Sequence, residues 1–437
     1  MSDPYDVILA QVDARLADGQ PADAYRVLLG ALAPQRPIPD EKFAAMIGAL
    51  ARIGEALGAD ALVSRVAAVV ANPEDVDALF DLGWALIEQE APAAALQVLS
   101  RADARAPGHP QILQELVTAY ATLGMHASAV DALMAHPALL VDPMIAYLLA
   151  FNGVMAGGMQ IARDQLGGLA ALASDTDMGF LASSIVEMVA RHDAVKPLSP
   201  LDAGDLRGWH LVTTGGLLLH TADSAHEGMS GRYAFVADSA ELCLEGVRAV
   251  ELVLRAWDQV PQRVWAFPDP RSQALAHAAA VLLGAEVGTW SPDVVSEPGL
   301  VVAYDLAHAP AALLQPLREK RPGQVLWQHA ARWTSRQPIA PDLCTFVYQF
   351  LRDPWAAHEG LSEAGVQVRV VADDASPEER ARTILACDLP EDAARGKASL
   401  LDLAMLPAGS SGAAGRRPDG WRVRFWGTSP VRSSRFV

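Results

Sequence analysis

The sequence predicts a two-part fold: an all-helical repeat array over residues 1–195, then an α/β domain with a mostly parallel sheet over residues 196–437. Two observations predict it. In the first part, apolar residues recur at helical spacing within units of roughly 34 residues. After residue 195, short apolar runs alternate with helical patterns, as in a parallel sheet. A chain of 437 residues also exceeds one ordinary core and favours two or three domains.

The clearest helical unit begins at Val76. It places small or apolar residues at positions 4, 7, 8, 11, 20, 24, 27 and 32, namely Leu79, Leu82, Gly83, Leu86, Ala95, Leu99, Ala102 and Pro107. Small residues at Gly83 and Ala95 allow two antiparallel helices to approach closely, and Pro107 ends the second helix.

Further units begin at Pro110 and near Pro143, weaker ones begin near residues 42 and 5, and a last helix over 178–191 follows. This spacing resembles the tetratricopeptide (TPR) repeat at every signature position of the best unit, with leucine in place of the usual aromatic residues. The resemblance implies a curved solenoid over residues 1–195. It also implies that the first helix of each unit lines a concave groove that binds other proteins.

The TPR resemblance assigns positions 2, 5, 9, 12 and 13 of each unit to that groove. The groove residues predicted in this way are Phe80, Trp84, Ile87, Glu88, Tyr147 and Phe151. An apolar, aromatic groove with an acidic edge predicts that a peptide or helix of another protein docks there. The alternative is a groove filled by the C-terminal half of the chain or by neighbouring repeats.

The second part is predicted element by element. A hairpin is expected over 209–214 and 217–220 through Gly215-Gly216. Strands are expected at 263–267, 299–304, 324–327 and 367–371, and a final edge strand at 421–426. Helices are expected at 242–257, 273–283, 311–320 and 377–386.

The segments 263–284 and 300–306 resemble the phosphoribosyltransferase-type α/β fold. In active members of that family, the second strand ends in two acidic residues and a Thr-Gly loop that cradles the ribose phosphate. Here Asp305 is retained, Tyr304 replaces the other acid, and Ala309-Pro310 replaces Thr-Gly. Pro310 has no N–H to donate to a phosphate. The resemblance therefore implies a degenerate site.

Four residues are candidate ligand or metal contacts in this domain. Asp373 and Asp374 follow a predicted strand and could hold Mg²⁺ at its carboxyl end. The same acids are also explained by a helix start, since Ser376 and Glu379 form a capping-box pattern. Asp305 and His308 form a His–carboxylate pair in the predicted crevice, which chance proximity on a loop also explains.

No cofactor and no resident metal are predicted. The eleven histidines include no HExxH pattern, and the three cysteines, at 243, 344 and 387, form no CxxC pair. Each cysteine is interpreted as a small buried apolar residue.

Charge and hydropathy exclude several partner classes. The net charge is −18, and residues 1–195 hold 24 acidic and 10 basic residues, a net −14. An acidic chain repels phosphate backbones, which argues against nucleic acid as a partner. The six arginines after residue 414 are interpreted as charges on an edge strand, with single-stranded nucleic-acid binding as the alternative. No apolar run is long enough for a membrane span, and the first residues lack a secretory signal, so we expect a cytoplasmic protein.

These features predict a protein-interaction adaptor or scaffold that uses the groove, with a non-catalytic α/β domain. The alternative is an enzyme or a binding protein for a nucleotide or ribose phosphate that acts through the α/β domain.

Overall fold

The structure is a computed structural model of the 437-residue chain. It describes residues 3–32, 38–173, 178–221, 232, 234–335, 337–356, 358–361, 367–370, 374–389, 397–407, 420–425, 427 and 430–433. The chain divides into two compact units, Met1–Ala182 and Ser183–Phe436. The division falls inside the helix Gly179–Val195. In the described part of the chain, no helix is both long and apolar enough to cross a membrane.

The first unit is built from helices joined by short connections. They are α1 (Pro4–Ala17), α2 (Pro21–Ala31), α3 (Asp40–Leu57), α4 (Asp60–Ala71), α5 (Val76–Glu88), α6 (Pro92–Arg105), α7 (Pro110–Thr122), α8 (His126–Met134), α9 (Pro143–Met155), α10 (Met159–Gln165), α11 (Ala170–Ala173) and α12 (Gly179–Val195), which crosses the division. Helices α5, α7 and α9 begin at residues 76, 110 and 143, where the sequence predicts that successive units begin.

Helices of the first unit pack on their neighbours in sequence, and the first helices of successive pairs also touch, α5 with α7 and α7 with α9. Leu79, Leu82 and Leu86 of α5 are fully buried, as the helical spacing predicts. Gly83 lies where α5 meets α6: a Cβ atom at this position would be 2.5 Å from the side chain of Leu99. A glycine therefore allows the close contact of the two helices.

The second unit combines six further helices with twelve strands in its described part. The helices are α13 (Leu206–Thr214), α14 (Ala240–Ala256), α15 (Pro270–Leu283), α16 (Ala311–Leu314), α17 (Pro377–Ala386) and α18 (Lys397–Ala404). The strands are β1 (Leu217–Leu218), β2 (Phe235–Ala237), β3 (Arg263–Ala266), β4 (Glu286–Thr289), β5 (Gly299–Ala303), β6 (Glu319–Lys320), β7 (Gln324–Arg332), β8 (Leu343–Tyr348), β9 (Phe350–Arg352), β10 (His358–Leu361), β11 (Gln367–Val370) and β12 (Gly420–Trp421).

Six of these strands form the central sheet, in the order β1-β8-β7-β5-β3-β4, and every neighbouring pair is parallel. The predicted combination of helices with a mostly parallel sheet is thus confirmed at this level. The chain runs from β3 outward to β4 and then returns to β5 on the other side of β3. This reversal is a topological switch point, where the carboxyl ends of the strands form a crevice in open α/β sheets.

The predicted hairpin at 209–220 is wrong. Residues 206–214 form helix α13, which Asp205 caps by accepting the N–H of Gly208 at 2.9 Å, and which ends at Gly215 with φ 76°. Strand β1 then pairs in parallel with β8 instead of folding back. Eight of its nine residues, Arg207–Thr214, are buried, and a short, almost fully buried segment is hard to assign to helix or strand from the sequence.

The predicted edge strand at 421–426 is much shorter in the structure. Strand β12 covers two residues and pairs antiparallel with β6. Arg422 turns inward, and its guanidinium contacts buried Asp342 at 2.8 Å, which also binds the Lys320 ammonium at 3.1 Å. At least this arginine is buried in the protein and is not a free surface charge.

Candidate functional site

The predicted groove residues of α5 form a partly accessible surface. Phe80 and Ile87 are half-buried and pack against the core of the first unit. The Trp84 side chain is 44% exposed, and Glu88, one turn further along α5, is exposed. We call these four residues the α5 surface.

The two groove residues predicted on α9 lie in a different environment. Tyr147 is 7% exposed and Phe151 is 5% exposed. Their rings stack at a centroid distance of 6.0 Å, and the Phe151 ring meets His126 edge-on at 6.1 Å. Both side chains are thus covered, and a partner would find accessible aromatic surface on α5 but not at these two residues.

Acidic side chains border the α5 surface. Helix α5 packs on α7, and burial and then the negative charge of Glu88 raise the pKa of the Glu115 carboxyl on α7. Helices α5, α7 and α9 contain no lysine and no arginine. A ligand of this surface therefore meets acidic side chains beside an aromatic one.

Asp305 lies just beyond β5, at the switch point, and its carboxylate already has protein partners. It accepts hydrogen bonds from the Tyr348 hydroxyl, from the Ala307 N–H at 2.8 Å and from the Gln328 amide at 3.4 Å. Burial and the charge of Asp305 raise the pKa of Tyr348 far above its ordinary value, so the hydroxyl stays protonated and donates. His308 is exposed.

Of the other two candidates, Asp374 is exposed at the start of the segment that leads into α17, and Asp373 lies outside the described residues. The capping box is present: Ser376 accepts the N–H of Glu379, and the Glu379 carboxylate accepts the N–H of Ser376. The capping-box pattern predicted from Ser376 and Glu379 is thus present in the structure.

The structure also brings together three side chains that the sequence does not connect. Asp238 precedes α14, Cys243 lies on its first turns, and His329 lies in β7. All three are buried, and one potential ligand atom from each lies within 4.8 Å of the others. We call this group the Asp–Cys–His cluster.

The distances within the cluster are short. His329 Nε2 lies 3.2 Å from Asp238 Oδ2 and 3.6 Å from Cys243 Sγ, and the sulfur lies 3.8 Å from Asp238 Oδ2. Burial and then the charge of Asp238 raise the pKa of the Cys243 thiol well above its ordinary value. Without a cation, the thiol is therefore protonated and is a poor nucleophile.

Aromatic and polar groups enclose the cluster. The Tyr304 hydroxyl donates to Asp238 Oδ2 at 2.7 Å, and the backbone N–H of Ser239 donates to Oδ1 at 2.8 Å. The Phe346 ring meets His329 edge-on at 5.0 Å. The Arg271 guanidinium lies 4.7 Å from the centroid of the Tyr304 ring and pairs with Asp353 at 3.1 Å.

Nothing in the spacing of these residues along the chain points to this cluster. Asp238 and His329 are 91 residues apart, and Cys243 and His329 are 86 apart. Only the packing of α14 on β7 joins them. Local ligand spacings such as CxxC, on which sequence reasoning depends, are absent.

Compared with known proteins, the chain matches no protein-family model and no curated protein.

Proposed function

We propose that this protein is a protein-interaction adaptor, and that its α5 surface binds a segment of another protein in which a bulky apolar side chain lies beside lysine or arginine. The observation that carries the proposal is Trp84, a large aromatic side chain left 44% exposed on a helix without basic residues. The TPR resemblance assigns the same surface to the inner face of a repeat array.

The apolar half of the proposal rests on the chemistry of tryptophan. Exposed aromatic side chains are enriched among the residues that contribute most to binding energy. Phe80 and Ile87 lie beside Trp84 on α5 and pack against the apolar core of the first unit, which restricts their side chains. A rigid apolar surface of this kind loses little side-chain entropy when a partner covers it.

The proposal that the partner carries lysine or arginine rests on charge complementarity with the α5 surface. The charge of Glu88 helps to raise the pKa of Glu115 on the neighbouring helix α7, and residues 1–195 carry a net charge of −14 from 24 acidic and 10 basic residues. A basic partner is attracted to this surface and gains association rate, while an acidic partner is repelled. Nucleic acid, as a polyanion, is disfavoured for the same reason.

Selection from a random peptide display library against the full-length protein tests this proposal. We expect enriched peptides to pair an aromatic or large aliphatic residue with lysine or arginine. Trp84→Ala is expected to weaken their binding about 30-fold or more, the effect of losing roughly 2 kcal/mol at a central aromatic contact. The matched control is Trp421→Ala, which removes a tryptophan that is 73% exposed in the second unit.

Charge is tested separately. Glu88→Lys should lower the affinity for the enriched peptides, and the loss should shrink as salt is added because salt screens exposed charges. Peptides that bind Trp84→Ala as tightly as the unaltered protein would contradict the proposed surface. Enrichment of acidic peptides would contradict the proposed partner chemistry.

A further inference from the structure

We infer that Asp238, Cys243 and His329 form a binding site for one zinc-class divalent transition-metal ion in the second unit. The inference is independent of the adaptor proposal, because it concerns other residues in the other compact unit.

The spacing of the three ligand atoms fits a tetrahedral centre. Zinc bonds of about 2.3 Å to sulfur and about 2.0–2.2 Å to nitrogen and oxygen put neighbouring ligand atoms about 3.3–3.6 Å apart. The observed separations are 3.2 Å between nitrogen and oxygen, 3.6 Å between nitrogen and sulfur, and 3.8 Å between sulfur and oxygen. All three atoms lie within 4.8 Å of one another, so a single ion between them contacts all three.

Ordinary hydrogen bonding explains this arrangement less well. Cys243 Sγ lies 3.8 Å and 3.9 Å from the two Asp238 oxygens, and a thiol is a weak donor even at shorter range. Nitrogen Nε2 of His329 lies almost equally far from both carboxylate oxygens, at 3.3 Å and 3.2 Å, and 3.6 Å from the sulfur. One N–H divided between two carboxylate oxygens makes neither hydrogen bond well, whereas a metal ion between the groups contacts the nitrogen, the sulfur and a carboxylate oxygen.

Charge balance favours a divalent ion. A carboxylate and a thiolate together supply two negative charges, imidazole is neutral, and a divalent cation brings the buried site to zero. A buried carboxylate without a cation is costly. The Arg271 guanidinium, which lies 4.7 Å from the Tyr304 ring centroid, is paired with Asp353 at 3.1 Å.

The donor set selects the class of metal. Thiolate and imidazole favour zinc and its neighbours over magnesium and calcium, which prefer sites made of oxygen ligands alone. On binding, the thiol releases its proton to solvent, sulfur and Nε2 each donate an electron pair to the ion, and the imidazole proton resides on Nδ1. No oxidant or reductant takes part.

The surrounding chain holds the ligands in place. Tyr304 donates to Asp238 and orients the carboxylate, which is the role of an outer-shell partner. Gly246 of α14 lies against β7 and β8: a Cβ atom there would be 2.8 Å from Thr345 Oγ1 and 3.1 Å from His329 Nδ1. This close approach brings Cys243, one turn earlier on the same helix, toward the imidazole.

The test measures metal bound by the full-length protein. Because the cluster is buried, the chain is unfolded in denaturant with a chelator and then refolded with either Zn²⁺ or Co²⁺ in the place of the chelator. We expect one ion per chain by elemental analysis. With Co²⁺ we expect a thiolate-to-cobalt charge-transfer band in the near ultraviolet and d–d bands of a tetrahedral centre.

Variants locate the site. Cys243→Ala should lose the charge-transfer band, while Cys344→Ala should keep it; Cys344 is an equally buried cysteine on β8 and serves as the matched control. Tyr304→Phe should keep the band but weaken metal affinity about 10–100-fold, as expected for loss of an outer-shell contact. A refolded, unaltered protein that binds neither ion would overturn the inference, and so would a charge-transfer band of full intensity in Cys243→Ala.

Discussion

At the scale of single residues, position within a predicted repeat unit indicates which way a side chain points but not what covers it. Trp84 and Phe151 occupy the same position in units that start at residues 76 and 143, yet Trp84 is 44% exposed and Phe151 is 5% exposed. The difference arises because Phe151 stacks on Tyr147 and meets His126. Helical spacing predicts the direction in which a side chain points. The burial of that side chain depends on which other segments of the chain pack against it, and helical spacing does not predict this.

The contribution of Asp342 to the stability of the fold could not be predicted from the sequence. Burial alone would raise its pKa, but the charges of Arg422 and Lys320 and the N–H of Leu326 outweigh burial and hold the pKa at about 2. Its partners are 80 and 22 residues away. The sequence shows only an aspartate before an apolar run.

The depressed pKa of Asp342 predicts how stability changes with pH. The unfolded side chain titrates near 3.8 and the folded one near 2, so ionised Asp342 stabilises the fold by about 2 kcal/mol. This stabilisation is complete above about pH 5 and is lost as pH falls through 3.8 toward 2. Asp342→Asn should lower the free energy of unfolding at pH 7 by about 3–5 kcal/mol, because it leaves two buried cations without their carboxylate.

Urea unfolding between pH 7 and pH 2.5 measures this effect. The difference in free energy of unfolding between the unaltered protein and Asp342→Asn should shrink as pH falls, while other carboxylates affect both proteins alike. A difference that stays constant over this range would contradict the assigned pKa.

At the scale of elements, amphipathic helices and buried strands were predictable where the local pattern is complete. The starts of α5, α7 and α9 agree with the predicted units, and β3, β5 and β7 agree with predicted apolar runs. Strand β8 was not predicted, although all six of its residues are buried, because a short apolar run does not by itself distinguish strand from helix. The same ambiguity led to the wrong hairpin at α13.

The close contact between α5 and α6 predicts how one added methyl group at Gly83 changes the stability of the first unit. Gly83→Ala puts a Cβ atom 2.5 Å from Leu99, and relieving this overlap should destabilise the first unit by about 1–3 kcal/mol. Gly48→Ala is the matched control: in the middle of α3, its Cβ atom meets nothing closer than 4.0 Å. That substitution should stabilise by up to about 1 kcal/mol through helix propensity.

Thermal and urea unfolding of the two variants measures both shifts. Gly83→Ala with unchanged or increased stability would contradict a close helix contact at this position.

At the scale of the whole molecule, the order of the two structural classes along the chain was predictable, and the site within the second unit was not. The change in pattern near residue 195 marks the change from helices to a parallel sheet, which is a local property. The Asp–Cys–His cluster depends on two segments that are separated by about 90 residues and meet only when α14 packs on β7. The sequence contains the three proposed ligand residues, but it does not show that folding brings them together.

Because the chain forms two compact units, each with its own apolar core, we expect a destabilising substitution in one core to affect only its own unit. Leu113 is fully buried in a core cluster of the first unit, and Leu326 is fully buried in one of the second. Leu113→Ala and Leu326→Ala remove the same atoms, and each should cost about 2–5 kcal/mol within its own unit. The free energy of local unfolding, measured segment by segment, shows which parts of the chain lose stability.

Hydrogen exchange detected on peptic fragments of the full-length protein measures this division. Leu113→Ala should speed amide exchange in fragments from 1–182 and leave β5, β7 and β8 protected, and Leu326→Ala should do the reverse. Faster exchange across the whole chain in either variant would show that the two cores unfold as one. Division into separate units also means that loss of the metal from the Asp–Cys–His cluster should leave peptide binding at the α5 surface intact, because each site is held by the core of its own unit.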